Sequence, residues 1–110
     1  MVYDANSIDI IGERNDGGIE LYIISSGAFD DSAEQQTLLL DKIENYLTYM
    51  NSNQFQAEFP MASKENKWIV LRLDKQPSSL LLSLCEKINV WVKENGVNFS
   101  VCLSNTNNEV

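Results

Sequence analysis

The apolar residues of this chain change spacing along its length, and the spacing limits what each segment can become. Where they alternate, the period fits a strand with one buried face; where they recur every three or four residues, it fits a helix with one buried stripe. Ile8 and Ile10 alternate with Asp9 and Ile11 across Ser7 to Gly12, and Ile19, Leu21 and Ile23 alternate with Glu20, Tyr22 and Ile24. Between them, Arg14-Asn15-Asp16-Gly17-Gly18 contains Asp-Gly and Gly-Gly steps that reach positive φ cheaply. A tight antiparallel hairpin is therefore predicted.

A loop over Ser25 to Phe29 leads to a helix that Asp31 or Ser32 can cap, with Glu34 or Gln35 returning a bond to the cap amide. Leu39 or Leu40, Ile43, Tyr46, Leu47 and Met50 form its apolar face, while Glu34, Thr37, Asp41, Glu44 and Thr48 form the other; Asn51 to Asn53 ends it. Phe55, Ala57 and Phe59 then alternate with Gln56 and Glu58 and predict a third strand closed by Pro60. Ile69, Leu71 and Leu73, alternating with Trp68, Val70 and Arg72, predict a fourth, joined to the third by a hairpin loop over Met61 to Lys67. A second helix is expected from about Gln76 to Ser79, with Pro77 in its first turn, an apolar face of Leu81, Leu84, Cys85, Ile88 and Val92, and a stop at Gly96. Val97, Phe99, Val101 and Leu103 supply a last strand, and Ser104 to Val110 a polar tail.

The order ββαββαβ predicts an α+β fold, with a mainly antiparallel five-stranded sheet and two helices on one face. One compact domain is expected over residues 1–110, with the polar tail from about 104. The open sheet face would present Asp9, Ile11, Glu20, Tyr22, Ile24, Glu58, Trp68, Val70 and Arg72.

Charge is distributed unevenly. Of the net −8, all lies in residues 1–44, where ten acids face only Arg14 and Lys42; the remaining residues balance. Such a field attracts a cationic protein and repels nucleic acid and anionic membranes. Lys64, Lys67, Arg72 and Lys75 cluster around Trp68 in sequence, but Glu65 and Asp74 offset them.

Catalytic chemistry finds little support. Histidine is absent, which removes the usual general base and the commonest metal ligand. Cys85 and Cys102 lie in apolar periodic stretches without a CxxC, which predicts buried reduced thiols. Asp30, Asp31 and Glu34 offer hard oxygen ligands but no EF-hand spacing, and helix capping accounts for them better. Asp9 and Glu20 have the pattern of an acid and base pair, as do exposed acids on any hairpin. Gly17-Gly18 lacks the companions of a phosphate loop. No cofactor and no metal are expected. The chain holds no apolar run near the roughly 20 residues that span a bilayer, and its start lacks the features of a secretory leader, which predicts a cytoplasmic protein.

The segments Ser7-Ile8-Asp9-Ile10-Ile11-Gly12, Gly18-Ile19-Glu20-Leu21-Tyr22-Ile23 and Leu39-Leu40-Asp41-Lys42-Ile43-Glu44-Asn45-Tyr46-Leu47, with Phe59-Pro60 beyond, resemble the small bacterial proteins of the DUF6572 family. That family's pattern has an I-D-x-I-G-like first strand, an L-L-x-x-K-I-N-x-Y-L-like helix and a strand ending in proline. Glu44 stands where the pattern has asparagine, and Gln35, Gln36 or Thr37 where it has a histidine before the leucines. The resemblance implies an association with polymorphic-toxin and contact-dependent inhibition loci, and hence an immunity role. It transfers no catalytic residue.

Charge and resemblance together predict a non-enzymatic immunity protein that neutralises a basic toxin, with a nuclease domain as the expected target. The residues expected to bind toxin are Asp16, Glu20, Tyr22, Asp30, Asp31, Glu34, Asp41 and Glu44, with Trp68 as a further anchor. The alternative is a non-catalytic interaction module that associates with itself as a homodimer.

Overall fold

A computed structural model describes residues 9–25 and 30–103. Ser7 and Ile8, the loop at 26–29 and the expected tail from 104 lie outside the described residues. The elements run β1 (Ile10–Glu13), β2 (Ile19–Ser25), α1 (Ala33–Met50), α2 (Asn53–Glu58), β3 (Lys67–Leu73), α3 (Ser79–Glu94) and β4 (Asn98–Leu103). The four strands form one sheet in the order β1-β2-β3-β4. β1 and β2 pair antiparallel, whereas β2 with β3 and β3 with β4 pair parallel.

This corrects the expected five-stranded antiparallel sheet with two helices. Phe55 to Phe59 is not a strand: Phe55 lies within α2 and Phe59 caps its C-terminus, with the Phe59 amide donating to the Phe55 carbonyl at 2.8 Å. A spacing of four residues suits one helical face as well as it suits one strand face, and the Ser52 hydroxyl decides for the helix by accepting from the Phe55 amide at 3.1 Å. Tyr49, Phe55 and Phe59 then pack in series, the first pair edge to face and the second tilted, with ring centroids 5.2 and 5.0 Å apart. With a helix there, β2 and β3 are joined by a long crossover, which leads to parallel pairing.

Two successive crossovers stepping the same way across a sheet place their helices on the same side. Ile19, Leu21, Ile23, Ile69, Leu71 and Leu73 of the strands accordingly bury against Leu39, Ile43 and Met50 of α1, Phe55 of α2, and Leu81, Cys85, Ile88 and Val92 of α3 in one core. Ser32 caps α1, accepting from the Gln35 amide, and Ser78 caps α3 in the same way. Asp31 sits just outside the α1 cap at φ 60 and accepts from the Ser78 hydroxyl at 2.7 Å, joining the two helix starts. The β1–β2 hairpin turns at Gly17, φ +85, while any Cβ on Gly18 would collide with the Asn66 carbonyl. Ile19 donates to that same carbonyl at 3.0 Å, so the hairpin is anchored to the loop before β3.

The α1 stripe holds one residue that apolar periodicity passes over. Lys42 is fully buried, and its ammonium donates to Asp9 Oδ1 at 2.8 Å. Asp9 Oδ2 accepts from the Ile24 amide at 2.8 Å. One turn along α1, the Tyr46 hydroxyl donates to the Tyr22 carbonyl at 2.7 Å and accepts from the Asp9 amide at 3.1 Å. Start of β1, body of β2 and middle of α1 are thus tied by one polar network. Burial raises the Asp9 pKa, but the Ile24 amide and the Lys42 ammonium outweigh it and hold the carboxyl below its usual 3.8.

A folded-state pKa below the unfolded one means that the Asp9 contribution is complete above pH 3.8 and is lost as pH falls through the lower folded value. Asp9→Ala is expected to cost about 3–5 kcal/mol at neutral pH, because it strips a buried ammonium of this carboxylate. Urea unfolding across pH checks both points: the gap between wild type and Asp9→Asn should close as pH falls below 3.8.

Candidate functional site

Two surfaces of different character flank the core. On the sheet face away from the helices, parallel register sets Glu20 beside Trp68, Tyr22 beside Val70, and Ile24 beside Arg72. Glu20 accepts from Arg14 Nη1 at 2.9 Å through one oxygen and from the Tyr22 hydroxyl at 2.7 Å through the other. The Arg14 guanidinium lies over the Trp68 ring at 5.7 Å, and the Arg72 guanidinium over the Tyr22 ring at 4.9 Å. The hydrogen bond to Glu20, followed by burial, raises the Tyr22 pKa. Among the described residues, Trp68 Nε1 and Arg14 Nε are buried without a hydrogen bond. This face is knitted together internally rather than laid bare.

The expected open face is partly corrected. Glu20, Tyr22, Ile24, Trp68, Val70 and Arg72 share it, but Glu58 lies on α2. The register pairs Ile10 with Tyr22, which puts Ile10 rather than Ile11 on that face. Asp9 is committed to Lys42, so Asp9 and Glu20 form no acid and base pair. The sequence cluster of bases around Trp68 also dissolves. Lys67 faces the helices, where its ammonium donates to the Met50 carbonyl and to Asn51 Oδ1, both at 3.2 Å, and neutralises the C-terminal end of α1. Burial lowers the Lys67 pKa.

The second surface belongs to the helical layer. Glu34, Asp41 and Glu44 are exposed on one stripe of α1, opposite its buried face. No ion pair involves any of them among the described residues. Near Glu44 a groove of about 200 Å³ opens between α1 and α3, lined also by Leu47, Thr48, Asn51, Trp91 and Asn95. The Asn51 side chain donates to the Asn95 carbonyl at 3.1 Å and fixes the two helix ends together. Trp91 is half-buried against the core. Its sequence context gave no sign of this role, because only the approach of α3 to α1 brings it beside an acid.

The residues expected to bind toxin are therefore divided between layers. Glu20, Tyr22 and Trp68 meet on the sheet face, with Asp16 at the hairpin tip accepting from the Gly18 amide at 2.9 Å. Glu34, Asp41 and Glu44 lie on the helical side. Asp30 and Asp31 serve the start of α1: Asp30 accepts from the Ser32 amide at 3.0 Å, and hydrogen bonds from Ser32 hold its carboxyl below the usual value. Among the described residues, no group of three acids or cysteines gathers as a cation site. Cys85 is buried, its thiol pushed up to about 11 by burial, but Cys102 is exposed on β4, contrary to the expectation for both thiols. No helix among the described residues is long and apolar enough to cross a membrane.

Residues 1–105 match DUF6572, a family of unknown function. No curated protein and no solved structure matches the chain.

The sheet-face network makes a spectroscopic prediction. Glu20→Gln removes the negative charge that disfavours the tyrosinate, so the Tyr22 pKa should fall toward its ordinary 10.0. Ring resonances of Tyr22 followed through an alkaline NMR titration would show it, with those of Tyr49 as the unchanged reference.

Proposed function

We propose that this chain, which belongs to the DUF6572 family, works by binding, as an immunity protein that neutralises a cationic toxin. The observation that carries this reading is the α1 stripe of Glu34, Asp41 and Glu44, exposed and without an ion pair among the described residues. Carboxylates that no neighbouring base neutralises project their field outward, where it captures and orients a basic protein. The groove at the end of the stripe gives the encounter an anchor. A lysine or arginine of the toxin entering there meets the Glu44 carboxylate and the Trp91 ring, which favour a cation together. A nuclease domain suits such an inhibitor, since the surface that holds nucleic acid is cationic and a row of carboxylates competes for it.

On the opposite layer Tyr22 is bonded to Glu20 and the Trp68 ring lies under Arg14, and in this reading these residues shape the sheet rather than meet the toxin. The test is co-purification with the product of the adjacent gene, followed by association kinetics at several salt concentrations. Wild type should associate quickly and lose rate steeply as salt rises. Reversing Glu34, Asp41 and Glu44 together to lysine should slow association about 10- to 1,000-fold at low salt and flatten the salt dependence. Glu20→Gln should leave both unchanged. A complex whose association is indifferent to the triple reversal would overturn the assignment of this surface.

A further inference from the structure

Among the described residues, the edge of the sheet at β4 carries none of the charges or prolines that usually keep strand edges apart. Among the described residues, β4 pairs with β3 on one side alone. Its residues, Asn98-Phe99-Ser100-Val101-Cys102-Leu103, include no charge and no proline, and an edge of that kind is a template for another strand. The opposite edge, β1, is only four residues long and ends in Glu13. Exposed apolar side chains gather beside β4: Val101 and Leu103 on the strand, and Leu82 on α3. Between α3 and β4 runs a groove of about 350 Å³, lined by Leu82, Cys85, Phe99 and Val101 among others.

Charge selects the occupant. A chain of net charge −8 repels its own copies over most of its surface. From Ser79 to Leu103, however, Glu86 and Glu94 are offset by Lys87 and Lys93. A cationic protein gains nothing on this flank, whereas a second copy meets no repulsion from it. We infer that β4 pairs antiparallel with β4 of a second copy, joining the two sheets edge to edge across a two-fold axis. An axis normal to the sheet keeps the helices of both copies on one face. Leu82 and Val101 of each copy then close on the groove, and the mixed charges of α3 can find opposite signs across the axis. A specific interface needs about 1,000 Å²; a strand edge this short falls below that, and the apolar side chains of α3 and β4 extend it.

Sedimentation equilibrium of the full chain tests the inference, with Val101→Lys and Leu82→Glu as variants and circular dichroism as the check on folding. Wild type should show twice the chain mass, falling toward the chain mass on dilution. Both variants, with unchanged far-ultraviolet spectra, should dimerise at least about tenfold more weakly, the effect of losing one well-buried contact. Leu82 lies outside the strand, so its variant decides the matter if lysine in β4 impairs folding. Wild type at the chain mass throughout would overturn the inference, as would a dimer that Leu82→Glu leaves intact. A monomer that instead captures an extended apolar peptide along β4 would also overturn it. Reversing Glu34, Asp41 and Glu44 should leave the mass unchanged, which separates self-pairing from the toxin reading.

Discussion

The contact between Lys42 and Asp9 sets the geometry on which both surfaces depend. An ammonium with no exposure is costly to bury, and the cost is met only if its partners are held at bonding distance. One such partner comes from a distant stretch of chain: the Asp9 carboxylate just before β1, itself held by the Ile24 amide of β2. Tyr46 repeats the device one turn later, bridging the Tyr22 carbonyl and the Asp9 amide. An apolar pair of similar size could fill the space, but it would tolerate a slip of α1 along the strand. Directional bonds fix the register, and so fix where the acidic stripe of α1 stands relative to the sheet.

Much of the local structure could be read from the residues alone. The hairpin around Gly17, the capping serine of α1 and the periodic face of α3 all follow from short-range chemistry, and the structure has them where the spacing places them. The sheet topology could not be read this way. Parallel strands covered on both faces usually lose their alternation, but β2 keeps it, because Glu20, Tyr22 and Ile24 lie on a face without helices. It therefore resembles an antiparallel strand. Phe55 and Phe59 are ambiguous for a similar reason: two aromatics four residues apart fit either period, and α2, which holds Phe55 and ends at Phe59, is only six residues long.

The candidate surface was legible in kind and not in place. The acids of the first 44 residues stand out in sequence, as does the scarcity of bases among them, with Arg14 and Lys42 alone. Which of them act together is a property of the fold: Glu20 neutralises Arg14, Asp9 neutralises Lys42, and Asp31 holds Ser78, whereas Glu34, Asp41 and Glu44 are left to face solvent. The residues quoted for the family resemblance sort in the same way. Asp9, Lys42 and Tyr46 belong to the buried network of this chain, and so hold its fold together.

Parallel pairing at the centre of the sheet also sets the order in which the chain can be made. β1 and β2 meet through a tight turn and can close as soon as both have emerged. The other side of β2 must wait, because its partner begins at Lys67, beyond the whole of α1 and α2. Contacts so distant in sequence form slowly, since the entropy of closing the loop is lost before any pairing is gained. During synthesis, the apolar face of α1 is therefore complete before the strand that will cover it exists. The growing chain is most open to misassociation in that interval, and the same stretch already carries most of its negative charge, which keeps neighbouring copies apart until β3 arrives.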